Sequence, residues 1–310
     1  MSADRAVRDT KDAMSTIETQ GMTLRYGQRV GVEGLDLDVP EGVLFGFLGP
    51  NGSGKTTAIR VLLGFLRPTE GAARIFGMDC WRQSHRIKAE VGYLPGDLRL
   101  YPWLTGAEAI RIFGRVRRRD LQEPGRRLAD QFRLDLTVKV RKMSRGMRQK
   151  LGLILALAHR PKLLVLDEPS ASLDPLMQDE LYQCLRQLAA EGHTVFFSSH
   201  TLSEVDQLCD RVAILRDGRL VADEPLETLR RRAGRAVSIR FKRGRPMPES
   251  PPEFLEVRER LDGQWRGVLT GPVPKLLQWI GGQAIEDLAI GQPDLESLFR
   301  EFYRNGGPEA

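Results

Sequence analysis

Short unbroken apolar runs alternate along this chain with longer amphipathic stretches. The runs "VLFGFLG" (43–49), "ARIFG" (73–77), "VGYLP" (91–95), "LLVLD" (163–167), "TVFFSSH" (194–200) and "RVAIL" (211–215) are too short for helices. They predict the strands of an α/β core, buried on both faces as in a parallel sheet between helices. Between them, "TTAIRVLLGFL" (56–66) and "RQKLGLILALAHR" (148–160) repeat apolar residues at helical spacing. "LTGAEAIRIFGRV" (104–116) opens with Thr105 and Glu108 at the spacing of a capping box. "GMTLRYGQRVGVEGLDLDVPEG" (21–42) breaks into two or three short strands with glycine turns, and "LRDGRLVAD" (215–223) predicts a hairpin turning at Asp217-Gly218.

Beyond about residue 228 the texture changes. "AVSIRFKR", "EFLEVRERLDG", "QWRGVLTG" and "AIEDLAIG" predict strands among proline and glycine breaks, "PVPKLLQWIGGQ" a helix, and "DLESLFREFYRN" a terminal amphipathic helix. Residues 229–310 thus form a small α+β accessory domain. At the other end, residues 1–16 carry no apolar core, which predicts a flexible tail and no secretory signal.

Composition narrows the class. The 310 residues are 41% apolar and 28% charged, the balance of a soluble globular protein. No run approaches the ~20 apolar residues of a membrane span. Cys80, Cys184 and Cys209 lie far apart, without ligand-like spacing, and predict plain thiols in a reducing compartment. The net charge of +6 is partly local: "RVRRR" (115–119) is one cluster, and residues 229–245 hold eight basic residues and no acid. Such runs serve nucleic acid, anionic lipid or merely a solvated surface, and neither has the interleaved aromatics of a single-strand binder.

The chemistry starts at "GPNGSGKTT". Gly49 to Thr56 fit G-x-x-x-x-G-K-[ST], between a predicted buried strand and a predicted helix. Glycines let such a loop curl its N–H groups onto phosphate oxygens, and the following helix turns its positive end to the same anion. Lys55 would reach the β- and γ-phosphates of a nucleotide, and Thr56 would place its hydroxyl on Mg²⁺. This explains a second oddity. "LLVL" runs straight into Asp167 and Glu168, although charges are costly at the end of a buried strand. A strand parallel to that of the phosphate loop, ending at the same edge, puts Asp167 near the metal and Glu168 near the γ-phosphate.

These residues resemble the ATP-binding subunit of ABC transporters, over roughly 17–225. Gly49, Pro50, Asn51, Gly52, Ser53, Gly54, Lys55, Thr56 and Thr57 look like that family's Walker A motif, and "LLVLDEPS" its Walker B. "KMSRGMRQK" (142–150) is similar to the family signature at Ser144 and Gly146, and departs from it at Met143, Arg145 and Met147. Asp174 falls at the acid of the D-loop, His200 at the switch histidine, and Tyr26 where the family stacks an aromatic on adenine. Ser144 also suits a helix cap; both roles are compatible. His85, His159 and His193 have no such context and read as structural.

The resemblance implies a P-loop ATPase core (17–228) with an antiparallel β subdomain and an inserted helical subdomain, about 100–160, that contacts the membrane partner. It implies ATP and Mg²⁺ as ligands. It also implies a homodimer, or a dimer with a related ATPase subunit, sandwiching two ATP between the P-loop of one copy and Ser144 of the other. Glu168 would activate water and His200 contact the γ-phosphate. The dimer would drive a separately encoded membrane permease from the cytoplasmic face, most similarly to single-domain drug and antibiotic exporters, some of which carry a C-terminal extension. The alternative is a soluble relative acting on ribosomes or RNA, but such members usually carry two ATPase domains and this chain has one P-loop, so nucleic acid is not the expected partner. One position departs from the pattern. Where the family has a metal-ligating Gln, "VGYLPGDLRLYP" has Gly96, followed by Asp97. Two readings stay open: Asp97 supplies the missing ligand, or water does and Asp97 only caps a turn.

Overall fold

The computed structural model describes residues 15–245 and 247–293, with positions 295, 298 and 299. The predicted tail lies mostly outside this range, and so does the terminal amphipathic helix. The chain divides into two compact units, one ending at Asp223 and the other starting at Glu224.

In the first unit the chain runs β1 (Ser15–Tyr26), β2 (Arg29–Pro40), β3 (Leu44–Leu48), α1 (Lys55–Leu62), β4 (Glu70–Ile75), β5 (Met78–Asp79), α2 (Ser84–Glu90) and β6 (Val91–Leu94). The helices α3 (Gly106–Arg117), α4 (Gln122–Gln131) and α5 (Arg145–Leu157) follow as a block. The chain then returns through β7 (Leu163–Asp167), α6 (Pro175–Ala190), β8 (Thr194–Ser199), α7 (Leu202–Leu208), β9 (Arg211–Arg216) and β10 (Arg219–Pro225).

Two sheets result. The central one has the order β10-β9-β3-β8-β7-β6. Its strands β9, β3, β8, β7 and β6 are mutually parallel, and β3, β7 and β8 are buried along their whole length. Register matters here: Leu48 pairs with Ser199, and Asp167 with Ser198. The carboxyl ends of β3, β8 and β7 therefore line up, which is where an open α/β sheet places its ligand. Gly46 lets α7 approach, since a Cβ there would sit 2.8 Å from Val205 and 3.1 Å from the Cys209 sulfur.

The second sheet is antiparallel, in the order β2-β1-β4-β5. It corrects one expectation. "ARIFG" belongs to this sheet through β4, with Ile17 opposite Ile75 and Thr19 opposite Ala73, and not to the parallel core. The clue was alternation: Ala73 and Ile75 are buried while Arg74 between them is exposed, the signature of a strand covered on one face.

The local signals hold elsewhere. Thr105 and Glu108 close their capping box, with the Glu108 N–H donating to Thr105 Oγ1 at 3.2 Å and the Thr105 N–H to Glu108 Oε2 at 2.8 Å. Asp217 and Gly218 both take positive φ, 50° and 80°, as a two-residue hairpin turn requires. Part of the first basic cluster is committed to internal contacts. Arg117 donates to the backbone carbonyls of Lys88, Ala89 and Val91, and Arg119 to that of His159.

The second unit holds α8 (Leu226–Arg232), β11 (Arg235–Phe241), β12 (Leu255–Leu261), β13 (Gln264–Leu269), α9 (Val273–Ile280) and β14 (Ile285–Pro293). Its sheet is antiparallel, ordered β12-β13-β11-β14, over its own core of Val237, Ile239, Phe241, Leu255, Trp265, Leu269 and Leu276. Arg230 and Arg231 pair with Glu227, and Arg232 with Glu224.

Candidate functional site

The loop after β3 is held by backbone hydrogen bonds, one within the loop and two to distant segments. The Gly49 N–H donates to the Ser199 carbonyl at 3.2 Å, Ser53 N–H to Pro50 O at 3.1 Å, and Gly218 N–H to Ser53 O at 2.9 Å. Gly52 and Gly54 take φ of 83° and 104°, a conformation L side chains rarely hold, and Gly54 is the residue that starts α1. Space around Gly52 is open. Asn51 to Thr57, with Tyr26, Arg29, Gly31 and Glu168, line a cavity of about 400 Å³.

Two charged clusters meet at this cavity. Lys55 is only 5% exposed, and its Nζ donates to the carbonyls of Gly49 (2.6 Å) and Pro50 (3.2 Å), with Glu168 Oε1 at 3.5 Å. Glu168 Oε2 in turn lies 2.5 Å from His200 Nδ1. Asp167 is 1% exposed: Thr56 Oγ1 donates to Oδ2 at 2.9 Å, and Ser198 Oγ to Oδ1 at 2.6 Å. Burial first, then the nearby Asp167 charge, push the Tyr93 phenol up to about 12.

The residues fit an anionic ligand with a divalent cation. The cradle is open, a buried ammonium points into the loop, and Ser53 Oγ is buried without a hydrogen-bond partner among the described residues. Asp167 and Thr56 present two hard oxygens side by side. Among the described residues no group of three or more Asp, Glu, His or Cys could cage a metal by itself, so a cation held here would need oxygens from the ligand as well.

Asp97 is not brought to this cluster. Its carboxylate is 75% exposed and is taken by Arg99, at 3.0 Å to Nε and 2.9 Å to Nη2. Position 96 is the one that faces the metal acid: a Cβ on Gly96 would lie 3.5 Å from Asp167 Oδ2. The chain bends at residues 96 and 97, and the Asp97 side chain is drawn to the Arg99 guanidinium instead.

Ser144, Gly146 and Asp174 also stand apart from the cavity lining. Ser144 caps α5, its Oγ accepting the Met147 N–H at 3.1 Å, and Asp174 caps α6 by accepting the Met177 N–H at 3.0 Å. Gly146 lies tight against the Ser172 carbonyl, 2.8 Å from where its Cβ would be. Sequence reasoning missed Arg29 and Ser198. Arg29 had no motif around it. Ser198 had a readable signal, a hydroxyl inside the otherwise apolar end of "TVFFSSH".

Comparison with known proteins adds a family. The "ABC transporter" family model matches residues 32–171. The bacitracin transport ATP-binding protein of Bacillus licheniformis is 38% identical over 225 residues, covering 71% of this chain and 73% of that protein. The chain belongs to the ABC transporter family. A daunorubicin resistance ATP-binding protein of Streptomyces coeruleorubidus is 32% identical over 309 residues, covering 91% of this chain and 93% of its own length. A match that long includes part of the unit beginning at Glu224. Among solved structures, an ATP-binding cassette captured as a dimer after hydrolysis, with ADP and phosphate bound, superposes with a TM-score of 0.61 at 23% identity, over 68% of this chain and 98% of that one. This ABC protein is accordingly an ATP-binding subunit and an ATPase, and its curated relatives include proteins named for bacitracin transport and for daunorubicin resistance.

Proposed function

We propose that this ABC subunit powers an exporter by hydrolysing ATP in a dimer, formed with a second copy or a related ATPase subunit, that pulls on a separate membrane permease. The observation that carries this is a split site. Lys55, Thr56, Asp167, Glu168 and His200 meet at one cavity, whereas Ser144 and Asp174 cap helices outside it. A partner's helix end brought over the phosphate loop supplies the missing side of the cradle. Dimerisation of a solved cassette of the same fold supports this arrangement.

In this reading Tyr26, 46% exposed at the cavity, stacks on the base. Lys55 leaves the Gly49 and Pro50 carbonyls for the β- and γ-phosphates, which releases Glu168 from its cation. Glu168 then orients a water for in-line attack on the γ-phosphorus and takes its proton, as the bond to the bridging oxygen breaks and ADP departs. His200, already at Glu168, holds the γ-phosphate. Thr56 and Asp167 would hold Mg²⁺, which would supply charge neutralisation at the phosphate oxygens.

The permease would dock where the sheet meets the helical block. An apolar groove of about 680 Å³ there is lined by Phe65, Leu98, Tyr101, Leu104, Ile112 and Phe113, among others. Tyr101, with the Trp103 ring tilted against it at 5.0 Å, is 63% exposed, an unusual placement unless something covers it. Among the described residues no helix is long and apolar enough to cross a membrane. The spanning part would therefore come from the permease, with this subunit at the inner face.

Glu168→Gln tests the reading. The near-isosteric change should keep ATP binding, slow hydrolysis by at least ~10²-fold, and trap an ATP-dependent dimer on size-exclusion chromatography. A variant that stays monomeric with ATP and hydrolyses normally would refute both the role and the dimer.

A further inference from the structure

Glu204 belongs to none of the motifs above. It sits in the first turn of α7, and its carboxylate accepts two hydroxyl hydrogen bonds, from Ser170 Oγ on Oε1 and from Ser199 Oγ on Oε2, both at 2.5 Å. The serines are buried, 4% and 1% exposed. Their places in the chain matter more than their burial. Ser170 follows Glu168 by two residues, and Ser199 immediately precedes His200. One carboxylate therefore ties together the two segments whose side chains meet 2.5 Å apart at the cavity.

The segment from Glu168 needs tying. Glu168 and Ser172 both take left-handed φ, 53° and 73°, which non-glycine residues hold only where the surroundings fix them. Several contacts do so, three of them to distant segments near the site. Gln149 Nε2 donates to Pro169 O at 3.0 Å, the Glu168 N–H to Ser198 O at 3.2 Å, and Ser170 Oγ to Glu204. The second and third both reach the His200 side, one at Ser198 and the other, through Glu204, at Ser199. There Ser199 is engaged three ways: its carbonyl accepts the Gly49 N–H, its Oγ accepts the Thr201 N–H at 2.9 Å, and the same hydroxyl donates to Glu204. Hydrogen bonds to a carboxylate are shorter and stronger than those between neutral groups, which suits a tie that must hold strained backbone.

We propose that Glu204 is a positioning residue for hydrolysis: it fixes Ser170 and Ser199 so that Glu168 and His200 keep their mutual geometry. The inference rests on the reading of Glu168 as the group that activates water. It assigns Glu204 no contact with nucleotide, whose cradle is built by the loop from Gly49 to Thr56.

The test compares Glu204→Ala, Glu204→Gln and Ser170→Ala in the full chain, each with and without Glu168→Gln. Steady-state ATPase, affinity for a fluorescent ATP analogue and thermal unfolding are measured on each. Glu204→Ala should lower kcat by about 10- to 100-fold, the scale of a slightly misplaced reacting group, while analogue affinity stays within about 3-fold. Glu204→Gln, which keeps one acceptor oxygen, should recover part of the loss, and Ser170→Ala should show a smaller one. On top of Glu168→Gln, Glu204→Ala should add little, because its target is gone. Equal losses in both backgrounds, or an unchanged kcat, would overturn the inference, and Glu204→Gln and Ser170→Ala decide it if Glu204→Ala does not fold. A Glu168→Gln enzyme with full turnover would overturn the site reading and this inference together. A slowed Glu168→Gln enzyme beside an unimpaired Glu204→Ala enzyme overturns this inference alone.

Discussion

Each oxygen of the Asp167 carboxylate has one hydroxyl donor, Thr56 on one side and Ser198 on the other, and the space in front of Oδ2 is bounded by Gly96. A glycine at that point leaves room for water between the backbone and the acid. Asp97, turned out to Arg99, is an exposed ion pair of the sort worth little. Asp97→Ala should therefore leave both kcat and the Mg²⁺ titration unchanged within about 2-fold, since the carboxylate reaches Arg99 and not Thr56 or Asp167. Gly96→Gln, whose amide would project toward Asp167, should shift the Mg²⁺ titration. A raised Mg²⁺ requirement in Asp97→Ala would show that the loop rearranges to bring the carboxylate inward.

At the scale of elements, the junction between the helical block and the sheet is held by arginines. Arg117, ending α3, grips the carbonyls at the end of α2 and the start of β6, and Arg119 grips His159 just beyond α5. The His159 ring is 4% exposed and neither ring nitrogen has a side-chain or backbone bond within normal geometry. Burial, then the Arg117 charge, depress its pKa from 6.5 to about 4, against an opposing pull from the Val91 backbone. The folded state thus keeps His159 neutral where the unfolded chain would take up a proton. Stability from this residue is fully present above pH ~6.5 and is lost as pH falls toward ~4, by about 3 kcal/mol at the low end. His159→Phe should flatten the fall of Tm between those pH values relative to wild type; parallel curves would refute the assignment. Little of this junction was legible in the sequence. "RVRRR" reads as a surface charge cluster because its acceptors are backbone carbonyls about 28 and 40 residues away. Strand β4 went to the wrong sheet for a related reason, since chain order does not name a strand's partner. The phosphate loop was legible because its glycines and Lys55 recur at a fixed local spacing, and the Thr105 cap because it completes its hydrogen bonds within three residues. Ser198 and Glu204 become informative only when distant segments converge on them.

At the scale of the molecule, every residue of the nucleotide cavity precedes the break at Asp223 and Glu224, and each unit has its own core. In the second unit, Trp265 is 1% exposed, stacks on Trp279 with ring centroids 6.2 Å apart, and meets Phe241 edge-on at 5.1 Å. Aromatic packing of this kind over a four-stranded sheet is what a small domain needs to fold by itself. A cut must respect β10, which runs to Pro225 and lies beside β9 in the central sheet. A chain ending after Pro225 should fold and bind ATP within about 3-fold of the full chain, a change under ~0.7 kcal/mol. The complementary piece from Glu224 onward should show cooperative unfolding by tryptophan fluorescence. If the first piece folds, by circular dichroism and a sharp thermal transition, yet has lost ATP binding, then the second unit completes the nucleotide site and its role is catalytic. If both pieces behave as expected, the second unit acts beyond the site, and the measurement that then separates its roles is the ATP-dependent dimer of Glu168→Gln, compared with and without residues after Pro225. A dimer that forms only in the full chain would make the second unit a support for dimerisation, and an equal dimer in both would leave it to pairing with the permease.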